Sequence, residues 1–117
     1  MADECIFCDI GAGRIESEIL YRDDSCFVIR DIAPKAPTHL LVIPNEHFTY
    51  LEKLTPDFYP VLGRMFTAAR EMAKREGIDA SGYRLVINQG DDAGQQVPHL
   101  HLHVLGGKPM GDMDRAR

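Results

Sequence analysis

The chain has 117 residues, 44% hydrophobic and 26% charged, with a formal net charge of −5. That length holds one domain with a modest core and leaves no room for two. The acidic balance excludes a nucleic-acid binder built on a broad basic surface, but not a site for a small phosphate ester held by local backbone N–H groups. Apolar runs such as Leu40-Leu41-Val42-Ile43 are too short to span a membrane. The acidic start Met1-Ala2-Asp3-Glu4 carries no secretion signal. Together with only three cysteines, this leads us to expect a reducing, cytoplasmic compartment.

In chain order, residues 5–13 read as a short helix ending at glycine, with Ile6, Phe7 and Ile10 spaced along one face. Residues 19–21 and 26–30 are predicted strands joined by a turn at Asp23-Asp24. Two prolines make 31–38 a loop, and 39–43 is a buried strand closed by Pro44-Asn45. Thr55-Pro56-Asp57 opens a long helix whose apolar face is Leu62, Met65, Phe66, Ala69, Met72 and Ala73, and which should stop at Gly77. Residues 83–88 and 99–105 are the last strands, separated by a glycine-containing loop. The expected fold is α+β: an antiparallel sheet of about five strands, one long helix and a short N-terminal helix. The core should run over 5–107, with 108–117 a short tail. A sheet this small leaves an open edge, which predicts a homodimer.

The most informative segment is His99-Leu100-His101-Leu102-His103. Strand alternation puts three imidazoles on one face and Leu100, Leu102 and Val104 on the other, toward a core. Three in a row point to chemistry rather than packing. Either they ligate a catalytic metal, or one is a nucleophile whose neighbours set its tautomer. The preceding Asn88, Gly90, Gly94, Gln95 and Gln96 are rich in amide donors and permissive backbone, which suits phosphate.

The run His99 to Leu105 resembles the alternating histidine–apolar signature of the histidine-triad superfamily. The segment Asp31 to Pro44 and the pair Gly106-Gly107 are similar to its nucleotide-binding (Hint) branch, and the resemblance spans about Cys5 to Gly107. It implies an enzyme acting at the α-phosphate of purine nucleoside phosphoramidates or related esters. His101 would be the nucleophile, His103 its phosphate-side helper, and His39 an additional histidine beside them. Asp31 would take the ribose hydroxyls; Asn88, Gly94, Gln95 and Gln96 would bind phosphate. Ile6, Phe7, Ile10, Ile29 and Ile32 would line the base pocket. One departure is Gln96, where some relatives carry serine; glutamine donates a hydrogen bond but cannot shuttle a proton. Cleavage of dinucleoside polyphosphates, or regulation by a binder with vestigial catalysis, would use the same residues.

Cys5-Ile6-Phe7-Cys8 is a C-x₂-C knuckle, which as a structural Zn²⁺ site needs two more ligands. His47 and His99 are the candidates, and bacterial proteins similar to this one hold zinc with that set. Catalysis itself would require no cofactor. Cys26 reads as a small buried residue, the charges from Glu71 to Glu76 as a solvated helix face, and Asp91-Asp92 as a turn. Met110 and Met113 in the tail are candidates to touch a dimer partner, which the sequence does not decide.

Overall fold

Cys26–Arg30 and Thr38–Pro44 are β-branched and aliphatic runs buried along nearly their whole length, and they form the centre of the sheet. The computed structural model describes residues 5–112; Met113, one of the two tail methionines, lies outside them. The elements are α1 (Ile6–Gly11), β1 (Tyr21–Arg22), β2 (Cys26–Arg30), β3 (Thr38–Pro44), α2 (Tyr59–Arg75), β4 (Tyr83–Val86) and β5 (Leu102–Gly106). The sheet is antiparallel throughout, in the order β1-β2-β3-β5-β4. Among the described residues no helix is long and apolar enough to cross a membrane.

Strand alternation divides the core into two layers. Cys26, Val28, Leu40, Val42, Leu100, Leu102 and Val104 pack with Met65, Ala68, Ala69, Met72 and Ala73 of α2. On the opposite side, Phe27, Ile29, Leu41 and Ile43 pack with Cys5, Phe7 and Ile10. Each aliphatic side chain so buried stabilises the fold by roughly 1.5–3 kcal/mol. Phe66, expected on the apolar face of α2, is 48% exposed, because the buried stripe follows Met65, Ala68 and Met72 and leaves Phe66 at its flank. Thr55-Pro56 opens a 3₁₀ turn (Pro56–Phe58) before the α-helix begins at Tyr59. The helix ends as expected: Gly77 has φ +74°, its N–H donates to the Lys74 carbonyl, and that of Ile78 donates to Ala73.

The first helix is the shorter Ile6–Gly11 and β3 is one residue longer at each end, and three strand boundaries differ from the sequence expectation by two residues or more. β1 is shifted to Tyr21–Arg22, pairing Tyr21 with Val28 and Arg22 with Phe27. β4 stops at Val86, opposite His103, where its partner strand is about to end. Most consequential, β5 begins at Leu102, so His99 and His101 precede the ladder instead of belonging to it. The register pairs Val42 with Leu102, and continuing it would oppose Leu100 to Pro44, which has no N–H to give.

Candidate functional site

His101 sits one residue before β5, lining a cavity of about 370 Å³. Its Nδ1 lies 2.8 Å from the His99 carbonyl oxygen. A carbonyl only accepts, so Nδ1 carries the proton and Nε2 keeps a lone pair. Burial lowers the His101 pKa, opposed by that hydrogen bond and by the charge of Asp31. Burial thus favours the neutral ring, the form a nucleophile requires.

A second tautomer is fixed by a chain of donors. The Lys35 backbone N–H donates to His39 Nδ1 at 3.1 Å, which leaves the His39 proton on Nε2. That Nε2 is 2.9 Å from His103 Nδ1 and 3.3 Å from Asp31 Oδ2. His103 accepts at Nδ1 and so holds its own proton on Nε2. This buried atom has no hydrogen-bond partner among the described residues. A buried donor left open is costly unless a ligand satisfies it, and His103 also lines the cavity. Desolvation, then His101 and His39, push the His103 pKa down to about 4. Burial also lowers that of His39, with Asp31 opposing.

Asp31, His39 and His103 bring three potential metal-ligand atoms within 4.8 Å of one another. The Lys35 amide argues against a metal centre there. A cation on His39 Nε2 would force the proton onto Nδ1, against the Lys35 N–H. The trio is a hydrogen-bond relay.

The cavity wall brings together most of the residues expected to bind substrate: Ile6, Phe7, Ile10, Ile29, Ile32, Asp31, Asn88, Gly94 and Gln96. Ile32 is 97% exposed at the rim, while Phe7, Ile10 and Ile29 are buried. Asp31 Oδ1 accepts from the Ala33 N–H at 2.8 Å, which fixes the carboxylate. Gln95 is not in the wall. Its Oε1 accepts from the Gly90 N–H at 2.8 Å and its Nε2 donates to the Val97 carbonyl at 3.2 Å, so it braces the loop instead of facing substrate. Arg30 and Lys35, not anticipated from sequence, also line the cavity. The Arg30 guanidinium is paired with Glu76, so Lys35 is the cation of the two that is left for the cavity. The Lys35 amide gave no sequence signal, since every residue but proline carries one.

The cysteine knuckle lies behind this wall. Cys5 caps α1 by accepting the Cys8 N–H on its sulfur at 3.4 Å. His99 Nδ1 is 3.3 Å from Cys5 Sγ and 3.6 Å from Cys8 Sγ, and His47 Nδ1 is 3.2 Å from Cys8 Sγ. The far nitrogens are both oriented by acceptors. His99 Nε2 donates to the Pro44 carbonyl at 2.9 Å. His47 Nε2 donates to Thr49 Oγ1 at 3.3 Å, whose own proton goes to the Pro98 carbonyl at 2.8 Å. Both histidines thus aim Nδ1 lone pairs at two sulfurs, with all four ligand atoms within 4.8 Å. A dithiol–diimidazole set with its outer nitrogens held this way fits Zn²⁺. Burial, followed by the neighbouring Cys5, raises the Cys8 thiol to about 11.

Comparison with known proteins accords with this geometry. Residues 12–110 match the HIT domain family. The purine nucleoside phosphoramidase of Escherichia coli K12 is 45% identical over 113 residues, covering 97% of this chain and 95% of that protein. Protein HitA of Neisseria gonorrhoeae is 42% identical over 104 residues, 89% of this chain and 96% of its own length. Among solved structures, a HIT family hydrolase from Legionella pneumophila superposes with a TM-score of 0.91 at 39% identity, covering 95% of this chain and 99% of its own. A HIT family hydrolase from Clostridium thermocellum gives 0.90 at 40%, with 96% and 97% covered.

Proposed function

Because the chain belongs to the HIT family and is an enzyme of that family, we propose that it hydrolyses purine nucleoside phosphoramidates or related nucleoside phosphate esters at the α-phosphate. The observation carrying this reading is the pairing of a free lone pair on His101 Nε2 with an unpartnered N–H on His103 Nε2, both at the wall of one cavity. The first attacks phosphorus, and the leaving nitrogen or oxygen departs with the bonding pair and a proton taken from solvent at the open mouth of the cavity. The second donates to a phosphate oxygen as charge builds there. The positive charge that develops on His101 is stabilised by its Nδ1–H bond to the His99 carbonyl. Water then attacks the nucleotidyl-histidine, breaks the phosphorus–nitrogen bond and releases the nucleoside monophosphate.

Asp31 accepts from the ribose diol, while Asn88, Gly94 and Gln96 hold phosphate and the apolar wall takes the base. Gln96 is exposed and donates a hydrogen bond to the leaving group without supplying its proton. The whole chain acts as one domain with its core over 5–107. Pairing of two copies covers the β4 edge, where Leu85 and, on the neighbouring helix, Phe66 are exposed. Three cysteines without a disulfide suit a reducing cytoplasm. Zn²⁺ on Cys5, Cys8, His47 and His99 supplies a structural cross-link between α1 and the sheet and no step of the reaction.

Adenosine 5′-phosphoramidate and diadenosine polyphosphates, assayed with wild type and His101→Ala, test the reading. Turnover of the phosphoramidate by wild type, lost in the variant with AMP binding kept, is the expected result. Equal turnover by the variant overturns the nucleophile assignment. Elemental analysis should find about one Zn²⁺ per chain.

A further inference from the structure

The two residues enclosed by the cysteine knuckle are also two residues of the cavity wall. Ile6 and Phe7 line the cavity, and Cys5 and Cys8 on either side of them face His47 and His99. The Phe7 ring meets His99 edge-on at a centroid distance of 5.8 Å and His101 at 5.1 Å. A single aromatic ring thus contacts a member of the metal-ligand set and the proposed nucleophile together. The carrier of this ring is α1, a six-residue helix. Such a helix is far too short to hold its own conformation, so its position is set by what anchors it. One anchor is the burial of Phe7 and Ile10 against Phe27 and Ile29. The other is the thiol–imidazole cluster.

We propose that metal binding at Cys5, Cys8, His47 and His99 and nucleoside monophosphate binding in the cavity are energetically coupled through Phe7, so that the metal site sets substrate affinity. This rests on the metal and nucleotide assignments made above. The physical basis is that the metal fixes the spacing of Cys5 and Cys8, hence the placement of Ile6 and Phe7. Nucleoside in the cavity in turn presses the same two side chains toward the positions that the ligand set requires. Because binding free energies are reciprocal, each ligand must tighten the other by the same factor.

The test uses AMP and Zn²⁺ on the full chain. Calorimetry should give AMP binding about tenfold weaker after zinc is removed by a chelator, with circular dichroism unchanged. In the reverse direction, saturating AMP should slow zinc transfer from the zinc-loaded protein to a chromophoric chelator by a similar factor. In Phe7→Leu the protein should still load zinc, and AMP, at concentrations shown by calorimetry to saturate the variant, should no longer slow its release. Should chelation unfold the chain, the release measurement on zinc-loaded protein decides alone. AMP and zinc that each bind without affecting the other overturn the coupling and leave both site assignments intact. AMP that slows release equally in Phe7→Leu overturns Phe7 as the carrier. Failure to bind zinc at all removes the metal assignment and the coupling with it.

Discussion

The Lys35 amide, 3.1 Å from His39 Nδ1, decides where a proton sits on His103 one ring further on. Backbone amides do not titrate in the working range. The relay from Lys35 through His39 to His103 therefore has a fixed polarity, ending in an N–H at the cavity.

This polarity is directly measurable. Ring ¹⁵N shifts of the free protein at pH 7.5 should show His39 and His103 protonated at Nε2 and His101 protonated at Nδ1. Finding His39 protonated at Nδ1 would sink the relay.

Replacing His39 with Phe removes the donor to His103 Nδ1 and lets that ring flip its proton away from the cavity. We expect kcat to fall by about 10²-fold, in the range of single positioned proton or hydrogen-bond contacts, with KM nearly unchanged. A change confined to KM would place His39 in substrate binding instead.

Acid should destabilise the fold. In the unfolded chain histidines titrate near about 6.5. In the folded chain burial brings His99 and His103 down to about 4, and lowers His39 and His101 as well. Between these limits the unfolded state binds more protons, so stability is fully present above about pH 6.5 and is lost as pH falls toward 4. The loss is about 1.4 kcal/mol per pH unit for each of His99 and His103. Urea titrations in the presence of chelator at pH 5, 6 and 7.5 measure it. His103→Gln should flatten the slope by one proton, and an unchanged slope would show that His103 is not held neutral by burial.

The carboxylate of Asp31 is held by the Ala33 N–H and faces His39, yet its proposed work is on the ribose. Asp31→Asn should raise KM about tenfold for an adenosine phosphoramidate and leave the 2′,3′-dideoxy analogue nearly unaffected. Equal loss on both substrates would reassign Asp31 to the histidine relay alone.

Gly107 has φ +96°, and an added Cβ would meet Pro37 Cβ at 2.9 Å. Gly107→Ala combines backbone strain with a clash against the loop that carries Lys35. It should cost about 1–3 kcal/mol in chemical denaturation. Wild-type stability in this variant would mean that the loop yields freely.

Much of this was legible in the chain. Short continuous apolar runs bounded by turn residues announced β2 and β3, and Gly77 marked the end of α2, because those features depend on near neighbours. The spacing of His99, His101 and His103 pointed to the candidate site, where His101 and His103 line one cavity, and the cysteines lie beside His47 and His99 as proposed. What the sequence hid were non-local facts. Pro44 truncates β5 from across the sheet, Gln95 is occupied by its own loop, and Phe66 falls beside the buried stripe. Arg30 shows the same limit. Its bidentate bond to Glu76, with both contacts at 2.9 Å, joins the end of β2 to the end of α2 across 46 residues of chain.

The early end of the ladder at Pro44 also divides the histidine row dynamically. His103 lies inside β5, so its amide should exchange with solvent only when the sheet as a whole opens. His99 and Leu100 are held by single bonds to Val97 and Phe48, outside any ladder. Their amides should exchange through smaller, more frequent openings. His101, the proposed nucleophile, stands at the seam between a stiff unit and a more yielding one, with His103, its proposed phosphate-side helper, on the stiff side. Substrate would thus be gripped by a fixed donor while the attacking ring keeps the freedom to follow phosphorus through its change of geometry.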